Sequence, residues 1–377
     1  MKRCIACGAL LREEPLLIID NMPAAAQHLP EPEEKDSEHG VSVRLCACRG
    51  CGLVQLDSPP VPYYRDVIRS GGYSTTMDQL RRRQYERWID LCGLKGKKIL
   101  EAGCGQGEFL KILAEYPVEA YGMEHSPELV KKARAAGLRV AEEYPEEETQ
   151  RFENAPFDGF TSFNFLEHQP EPAVYLCAIA ANLCEEGCGL VTVPSFEYIL
   201  EQNSFYELIP DHLAYFTMET LEALMNRCGF DVLERERVNR DTLSVIVKKK
   251  RAPEIDGLIR KKQEIAEQVE ALGARAAAED RSIAVWGASH QGFTLCAVTG
   301  IAAHVRYIID SAPFKQGKIA PASHLPIVSP EAAKGDPTDI VLIVAPGYTE
   351  EIAGILREQF PRAAELWTLR TDRLERL

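Results

Sequence analysis

Two pairs of cysteines near the start of the chain have the spacing of metal ligands. Cys4 and Cys7 form one Cys-x-x-Cys pair, and Cys48 and Cys51 form a second. Two such pairs can give four thiolates tetrahedral access to one zinc ion. The alternative is that these are ordinary buried cysteines. However, residues 1–60 contain too few apolar residues in runs to build a core of their own. We therefore predict a structural zinc site, closed to substrate.

A glycine-rich turn follows a β-strand pattern and opens a helix pattern. Residues 99–107 read Ile-Leu-Glu-Ala-Gly-Cys-Gly-Gln-Gly, and the next strand pattern ends at Glu124. Glycines let a backbone approach its ligand closely. An acidic residue about twenty positions later can accept hydrogen bonds from both ribose hydroxyls of a nucleoside. A turn of this kind alone would also fit a nicotinamide dinucleotide.

The wider pattern resembles the cofactor motifs of class I methyltransferases, which use S-adenosylmethionine (SAM). The glycine turn preceded by an acidic residue and followed by Glu124 resembles their first motifs, and residues 157–168 resemble their fourth. The resemblance implies SAM as the cofactor in place of a nicotinamide. The SAM-binding residues that it implies are Glu101, Gly103, Gly105, Gly107, Glu124, His125, Asn164, Glu167 and His168.

The elements that must position these residues are alternating strands and helices. Between about residues 80 and 250, short β-rich runs alternate with amphipathic stretches, which is typical of βαβ units and a parallel sheet. Residues 255–280 are charged, with apolar residues at near-helical spacing, and predict a connecting helix. Buried parallel strands of a second α/β unit are predicted at residues 283–287, 305–310 and 340–345.

Composition sets limits on size, location and partners. The 377 residues exceed what one core usually supports, so we expect several domains. No apolar run approaches the roughly 18–20 residues of a membrane helix, and the N-terminus lacks an apolar signal stretch. The net charge of −14 provides no basic surface for nucleic acid. We expect a cytoplasmic monomer or small homo-oligomer that acts on a small molecule, away from membranes and nucleic acids.

The order of these parts resembles the sugar C-methyltransferase family, whose members methylate keto-sugars carried on a nucleoside diphosphate. The resemblance spans nearly the whole chain and rests on the cysteine pairs, the glycine turn and residues 211–217, 315–317 and 323–330. It implies an α/β protein of three parts. These are a zinc-binding module at 1–60, a class I methyltransferase Rossmann-like domain at 61–250, and a second Rossmann-like α/β domain at 251–377.

In that family a Tyr-His-Glu-His-Leu-x-Tyr-Phe stretch holds the active-site base. Residues 209–216 here read Ile-Pro-Asp-His-Leu-Ala-Tyr-Phe, so the second histidine is retained as His212 and the glutamate becomes Asp211. Ile209 and Pro210 replace the family's tyrosine and first histidine.

Methylation of a carbon beside a ketone requires removal of a weakly acidic proton, which a histidine can accept near pH 7. The resemblance implies that His212 removes this proton and that Asp211 sets its tautomer. The enolate oxygen then needs a donor or a cation, and Tyr215 and His168 are the candidate donors. Without the resemblance, an isolated histidine before an apolar run is more often a packing or capping residue.

Five further features carry weaker signals. Tyr73 lies in a segment that resembles the family's lid over the cofactor, and residues 21–27 resemble a stretch near its substrate. Lys315 and His324 resemble positions that face the diphosphate-bearing substrate, although solvated surface residues would look the same. His290 lies in a turn where an anion could meet a helix N-terminus.

Three functions remain open at this point. The first is SAM-dependent C-methylation of a nucleotide-linked keto-sugar or a related small metabolite, as in natural product biosynthesis. The second keeps SAM but transfers the methyl group to an oxygen or nitrogen of another small molecule, and the changes at Ile209 and Pro210 are its main support. The third is a non-catalytic SAM-binding regulatory protein.

Overall fold

A computed structural model describes residues 2–27, 29–65, 74–363 and 365–377. The predicted lid residue Tyr73 lies outside the described residues. The chain divides into two compact units, Met1–Arg251 and Ala252–Leu377. The finer division at residue 60 stays a prediction. Within the described ranges, no helix is both long and apolar enough to cross a membrane.

The first unit contains two sheets and their connecting helices. Its described strands are β1 (Leu17–Met22), β2 (Val41–Ala47), β3 (Val54–Leu56), β4 (Lys98–Ala102), β5 (Glu119–Glu124), β6 (Val140–Glu142), β7 (Phe157–Phe163), β8 (Leu183–Pro194), β9 (Ala214–Tyr215), β10 (Phe230–Val238) and β11 (Thr242–Lys249). Its described helices are α1 (Thr75–Cys92), α2 (Glu108–Leu113), α3 (Pro127–Ala135), α4 (Pro172–Ala181), α5 (Phe196–Gln202) and α6 (Met218–Arg227).

The larger sheet has the order β10-β11-β8-β7-β4-β5-β6. Strands β8, β7, β4, β5 and β6 run parallel, and β11 joins β8 in the antiparallel sense. Apolar side chains cover both faces, with Leu100 in the core on one side and Ile99 in the core on the other. Since parallel strands end at the same edge, residues that follow β4, β5 and β7 converge there, which is where open α/β sheets bind ligands.

The smaller sheet joins distant parts of the sequence. Its order is β1-β2-β3-β9, and all its pairs are antiparallel. Val54 of β3 is paired with Tyr215 of β9, so the N-terminal segment is hydrogen-bonded to the strand that immediately follows residues 209–213. Leu45, Leu56 and Phe196 pack around Tyr215 in the small core of this sheet. The N-terminal cysteine segment therefore helps to fix the predicted catalytic segment.

The second unit is a separate α/β structure with its own core. Its described strands are β12 (Ile283–Trp286), β13 (Val305–Ile309), β14 (Ile327–Val328), β15 (Ile340–Ile343), β16 (Glu365–Leu369) and β17 (Leu374–Arg376). Its described helices are α7 (Asp256–Ala278), α8 (His290–Val298), α9 (Pro330–Gly335) and α10 (Thr349–Gln359). The sheet order is β14-β13-β12-β15-β16-β17, and only β17 is antiparallel to its neighbour among these strands. This is the doubly wound order of a Rossmann-like unit.

A buried carboxylate stabilises the second unit. Glu365 is 3% exposed and accepts hydrogen bonds from Arg275, Arg281 and the indole of Trp367. Burial alone would raise the pKa of Glu365, but these donors outweigh it and lower the pKa to about 2.

We expect Glu365→Gln to lower the free energy of unfolding of this unit by about 1.5–3 kcal/mol, the usual contribution of hydrogen bonds to a charged group. Because the folded-state pKa lies below the unfolded value of about 4.3, this stabilisation is complete above that value and is lost as the pH falls towards 2. Calorimetric unfolding at neutral and acidic pH measures both effects. The exposed Glu358→Gln is the control, and an equal loss in both variants would contradict the assignment.

Candidate active site and candidate metal centre

The glycine turn and Glu124 form one hydrogen-bonded unit at the carboxyl edge of the larger sheet. Gly105 has a φ of 58°, and its N–H donates to one oxygen of Glu124 at 2.8 Å. Ser126 donates its N–H to the other oxygen at 2.9 Å. The bond from Gly105 joins the end of β5 to the glycine turn. Glu124 therefore holds the turn in place.

The first and last glycines of the turn meet two different constraints. Gly103 has a φ of 73°, and a Cβ there would lie 3.5 Å from the ring of Phe165. Gly107 has a φ of 92°, and a Cβ there would lie 2.2 Å from Leu138. At Gly103 the positive φ alone favours glycine, because the contact with Phe165 would be an ordinary one, whereas at Gly107 a Cβ would also be too close to Leu138. Glu101 lies just before the turn at the end of β4 and is 2% exposed.

Aromatic side chains line the cavity beside Glu124. The ring centre of Tyr144 lies 5.7 Å from that of His125 and 6.5 Å from that of Phe165. The guanidinium of Arg65 stacks 4.8 Å from the centre of the Tyr144 ring. Gly103, Glu124 and His125 from the predicted set share this cavity with residues that the sequence analysis missed: Arg65, Tyr144, Phe165 and Tyr175. Tyr144 lies just after β6, the strand that pairs with β5. Its position after a strand beside the Glu124 strand is the sequence signal that could have marked it as a site residue.

Asn164 follows β7 and links it to β8. Its side-chain oxygen accepts a hydrogen bond from the Thr192 hydroxyl at 2.8 Å, and its own N–H donates to the Thr192 carbonyl at 2.8 Å. Its φ of 50° starts the sharp turn into the Glu167–His168 segment. The role of Asn164 in cofactor binding stays a prediction.

The side chains of Glu167, His168 and His212 form a cluster, called here the second pocket, which brings the two predicted histidines together. The ring centres of His168 and His212 are 4.8 Å apart, and an oxygen of Glu167 lies 3.8 Å from Nε2 of His168. Nδ1 of His168 donates to the backbone carbonyl of Asp211 at 2.8 Å. Since a carbonyl can only accept, Nδ1 carries the proton, and Nε2 keeps its lone pair on the side of Glu167.

Burial sets the protonation of this pocket. It lowers the pKa of His212 to about 3, with a smaller contribution from the neighbouring His168, and it also lowers the pKa of His168. It raises the pKa of Glu167 to about 8. Both imidazoles are therefore neutral at pH 7. One oxygen of Glu167 is buried without a hydrogen-bond partner in the described part of the chain.

Asp211 connects this pocket to the N-terminal segment. Its carboxylate accepts hydrogen bonds from the hydroxyl of Tyr63 at 2.7 Å and from the N–H of Ala26 at 3.1 Å. Asp211 thus orients His168 through its backbone carbonyl, while its side chain faces Tyr63 and Ala26. The sequence analysis missed Tyr63, although Ala26 belongs to the predicted substrate-side stretch at 21–27.

Tyr215 stabilises the loop that carries His212. Its hydroxyl accepts a hydrogen bond from the N–H of Ile209 at 3.0 Å and donates to the carbonyl of the same residue at 3.1 Å. Its ring centre is 6.3 Å from that of His212. The hydroxyl would have to leave Ile209 before it could donate to a substrate. The role of Tyr215 towards the enolate stays a prediction.

The four predicted cysteine ligands lie together. The sulfurs of Cys4 and Cys51 are 3.7 Å apart, and those of Cys7 and Cys48 are 3.4 Å apart. Bonds of about 2.3 Å in a tetrahedral zinc site place sulfurs about 3.8 Å apart, so the donor set fits zinc. The N–H groups of Gly50 and Cys51 point to the sulfur of Cys48 at 3.2 and 3.4 Å. These four residues would hold the ion, and four thiolate ligands would leave it no open position for a substrate.

Three of the weaker candidates, Lys315, His290 and His324, lie in the second unit. Lys315 forms an ion pair with Asp310 at 2.9 Å, and the N–H of Ala288 donates to the same carboxylate. Lys315 is therefore brought to the turn before α8, where His290 is exposed as the first residue of the helix. His324 is exposed with a φ of 56°. Their roles towards a substrate stay predictions.

Comparisons with known proteins identify the class. Residues 77–235 match a family model described as a methyltransferase domain, and residues 256–366 match one described as a C-methyltransferase C-terminal domain. C-methyltransferase NovU from Streptomyces niveus is 25% identical over 368 residues, which cover 88% of this chain and 86% of NovU. The chain is a SAM-dependent methyltransferase. The predicted class of enzyme and the predicted fold are thereby confirmed.

Other relatives match only parts of this chain. A ubiquinone biosynthesis O-methyltransferase from Azoarcus sp. strain BH72 is 36% identical over 103 residues, 25% of this chain and 44% of its own length. The structure of magnesium protoporphyrin IX methyltransferase from Synechocystis PCC 6803 with bound SAH aligns with a TM-score of 0.39 and 15% identity. It covers 50% of this chain and 93% of its own.

We expect Glu124→Gln to weaken SAM binding about tenfold or more. The change removes the charged acceptor for the turn, and such hydrogen bonds contribute about 1.5–3 kcal/mol, with about 1.4 kcal/mol for each tenfold in affinity. Titration calorimetry with SAM measures the effect. Glu119→Gln, on the same strand but exposed, is the matched control. Equal affinities in the two variants would remove Glu124 from the cofactor site.

Proposed function

We propose that this enzyme transfers the methyl group of SAM to a carbon beside a ketone, on a nucleotide-linked keto-sugar or a related small metabolite. The proposal is supported mainly by the near full-length similarity to C-methyltransferase NovU together with the C-methyltransferase C-terminal domain. The second support is the buried pocket of Glu167, His168 and His212 at the same sheet edge as the glycine turn. A cytoplasmic location and the oligomeric state stay predictions.

The chemistry of carbon methylation agrees with such a pocket. A C–H bond beside a ketone must lose its proton before the carbon can attack the sulfonium methyl group, and the negative charge then moves to the ketone oxygen. A surrounding of low polarity strengthens every interaction with that oxygen. The sequence-based prediction gives His212 the role of the base. The position of His212 beside His168 and Glu167 would equally suit a hydrogen-bond donor to the ketone oxygen.

A second candidate function is methylation of an oxygen or nitrogen. The specific observations are the identity of 36% with a ubiquinone biosynthesis O-methyltransferase over 103 residues, and Ile209 and Pro210 in place of the family's tyrosine and histidine. This candidate keeps the SAM site unchanged. It differs in needing no exchange of a carbon-bound proton.

The deciding experiment is incubation of the purified enzyme with SAM and a panel of nucleotide-linked 4-keto-sugars, followed by mass spectrometry. We expect S-adenosylhomocysteine together with a sugar heavier by one methylene group. In deuterated water, the proton beside the ketone should exchange. A product methylated without exchange would favour the second candidate, and SAM binding without methylation of any sugar would contradict the proposed substrate.

We expect His212→Ala to lower turnover by at least about a hundredfold, the lower range for loss of an acid–base group. The affinity for SAM should stay unchanged, because His212 belongs to the second pocket and not to the cavity beside Glu124. The exposed His39→Ala serves as the matched control for loss of an imidazole. Turnover that survives in His212→Ala would remove this residue from the reaction.

We also propose that the four-cysteine cluster binds one structural zinc ion. The expected zinc content is one per chain, falling in Cys48→Ser, with hydrogen exchange rising both in β2 and β3 and, through the β3–β9 pair, in β9. Elemental analysis and exchange mass spectrometry check this. Cys46→Ser is the matched control, since Cys46 lies on β2, outside the cluster. Loss of zinc in the control would show that the ligands are wrongly assigned.

A further inference from the structure

Three side chains in the second pocket have the donor types and spacing of a metal site. The ligand atoms of Glu167, His168 and His212 all lie within 4.8 Å of one another. Glu167 is 1% exposed and His168 is 5% exposed. Metal bonds of about 2.1 Å allow ligand atoms up to about 4.2 Å apart, so side-chain movements below 1 Å would bring the three together. We call these residues the Glu-His-His cluster.

The backbone holds the cluster from both sides. The N–H of Leu213 donates to the carbonyl of Glu167 at 2.7 Å, which fixes His212 beside the Glu167–His168 segment. His168 donates its Nδ1 proton to the carbonyl of Asp211, so its Nε2 lone pair is available to a cation. Metal-bound histidines almost always donate their other nitrogen to such a carbonyl or to a carboxylate. The hydrogen bond that a metal-bound His168 would need on its other nitrogen is therefore already present.

The charge of the cluster is not balanced within the described residues. No arginine or lysine there forms an ion pair with Glu167, whose one close basic neighbour is the neutral His168. One oxygen of Glu167 has no hydrogen-bond partner in those same ranges. A buried carboxylate without a partner is unfavourable by several kcal/mol. A bound cation would take the place of the proton that otherwise neutralises this group.

We propose that the Glu-His-His cluster binds one divalent transition-metal cation of the Mn²⁺, Fe²⁺ or Zn²⁺ class. Two imidazoles and one carboxylate suit these ions better than Mg²⁺ or Ca²⁺, which prefer oxygen ligands. Three protein ligands leave coordination positions open for oxygen atoms of a substrate. In this arrangement His212 is a ligand.

The cation has a place in the reaction that rests on the proposed function. A developing enolate needs a donor or a cation at its oxygen, and a metal ion polarises a carbonyl directly. The hydroxyl of Tyr215, the other candidate, already makes two hydrogen bonds to Ile209. Binding of the cation itself does not depend on which substrate is methylated.

The test uses the full chain with zinc retained in the four-cysteine cluster and Mn²⁺ as the probe. Mn²⁺ prefers nitrogen and oxygen ligands and binds more weakly than Zn²⁺, so it does not displace zinc from thiolates. Bound Mn²⁺ loses the sharp electron paramagnetic resonance signal of the free ion, and this loss gives the affinity. We expect one Mn²⁺ per chain and a weakening of at least about tenfold in Glu167→Gln. The exposed Glu171→Gln should bind as the wild type does.

Two outcomes would overturn the proposal. One is the absence of Mn²⁺ binding at millimolar concentration, and the other is equal binding in the wild type and Glu167→Gln. Circular dichroism and the melting temperature report whether each variant is folded. If Glu167→Gln does not fold, His212→Asn tests the same cluster, because its side chain is neutral and polar but lacks the imidazole ligand.

The measurement is made without substrate, so it separates this proposal from the proposed function. Mn²⁺ binding that depends on Glu167, in a protein that methylates no keto-sugar, would uphold the cluster and contradict the substrate. Methylation of a keto-sugar without Mn²⁺ binding would uphold the function, and His212 would then keep the role of base that the sequence predicts.

Discussion

The backbone hydrogen bonds on either side of Leu213 are the contacts on which the second pocket depends. The N–H of Leu213 donates to the carbonyl of Glu167, and its carbonyl accepts from the N–H of Leu56 in β3. One residue thus links the end of the methyltransferase sheet to the N-terminal sheet. The pairing of Val54 with Tyr215 continues this link. The N-terminal cysteine segment is therefore part of the support for the pocket.

Much of the fold was predictable because its signals are local. The predicted strands at 283–287 and 340–345 appear as β12 and β15, the strand pattern before the glycine turn appears as β4, and the predicted helix at 255–280 appears as α7. Apolar strand runs and helical periodicity are patterns among neighbouring residues, so they can be recognised in a single sequence. The glycine turn was predictable for the same reason, because its three glycines are close together in sequence. In the structure each of them adopts a positive φ.

The remaining site features depend on contacts between residues far apart in sequence. Tyr63 meets Asp211 across 148 positions, and Ala26 meets it across 185. No local pattern marks either partner, because a tyrosine or an alanine in a polar segment has no special spacing. The sequence also placed the side chain of Asp211 beside His212, whereas its hydrogen bonds go to Tyr63 and Ala26. The direction of a side chain depends on the completed fold and not on its neighbours in the chain.

The segment at 209–213 is held by main-chain atoms, and this has a consequence for how the enzyme can change over evolutionary time. The N–H of His212 donates to the carbonyl of Ile209, and Leu213 is bound on both sides through its backbone. None of these bonds requires a particular side chain at positions 209 or 210. Replacements there can change these two side chains while the backbone keeps His212 in place. The segment can therefore vary at both positions without loss of the contacts that hold the histidine.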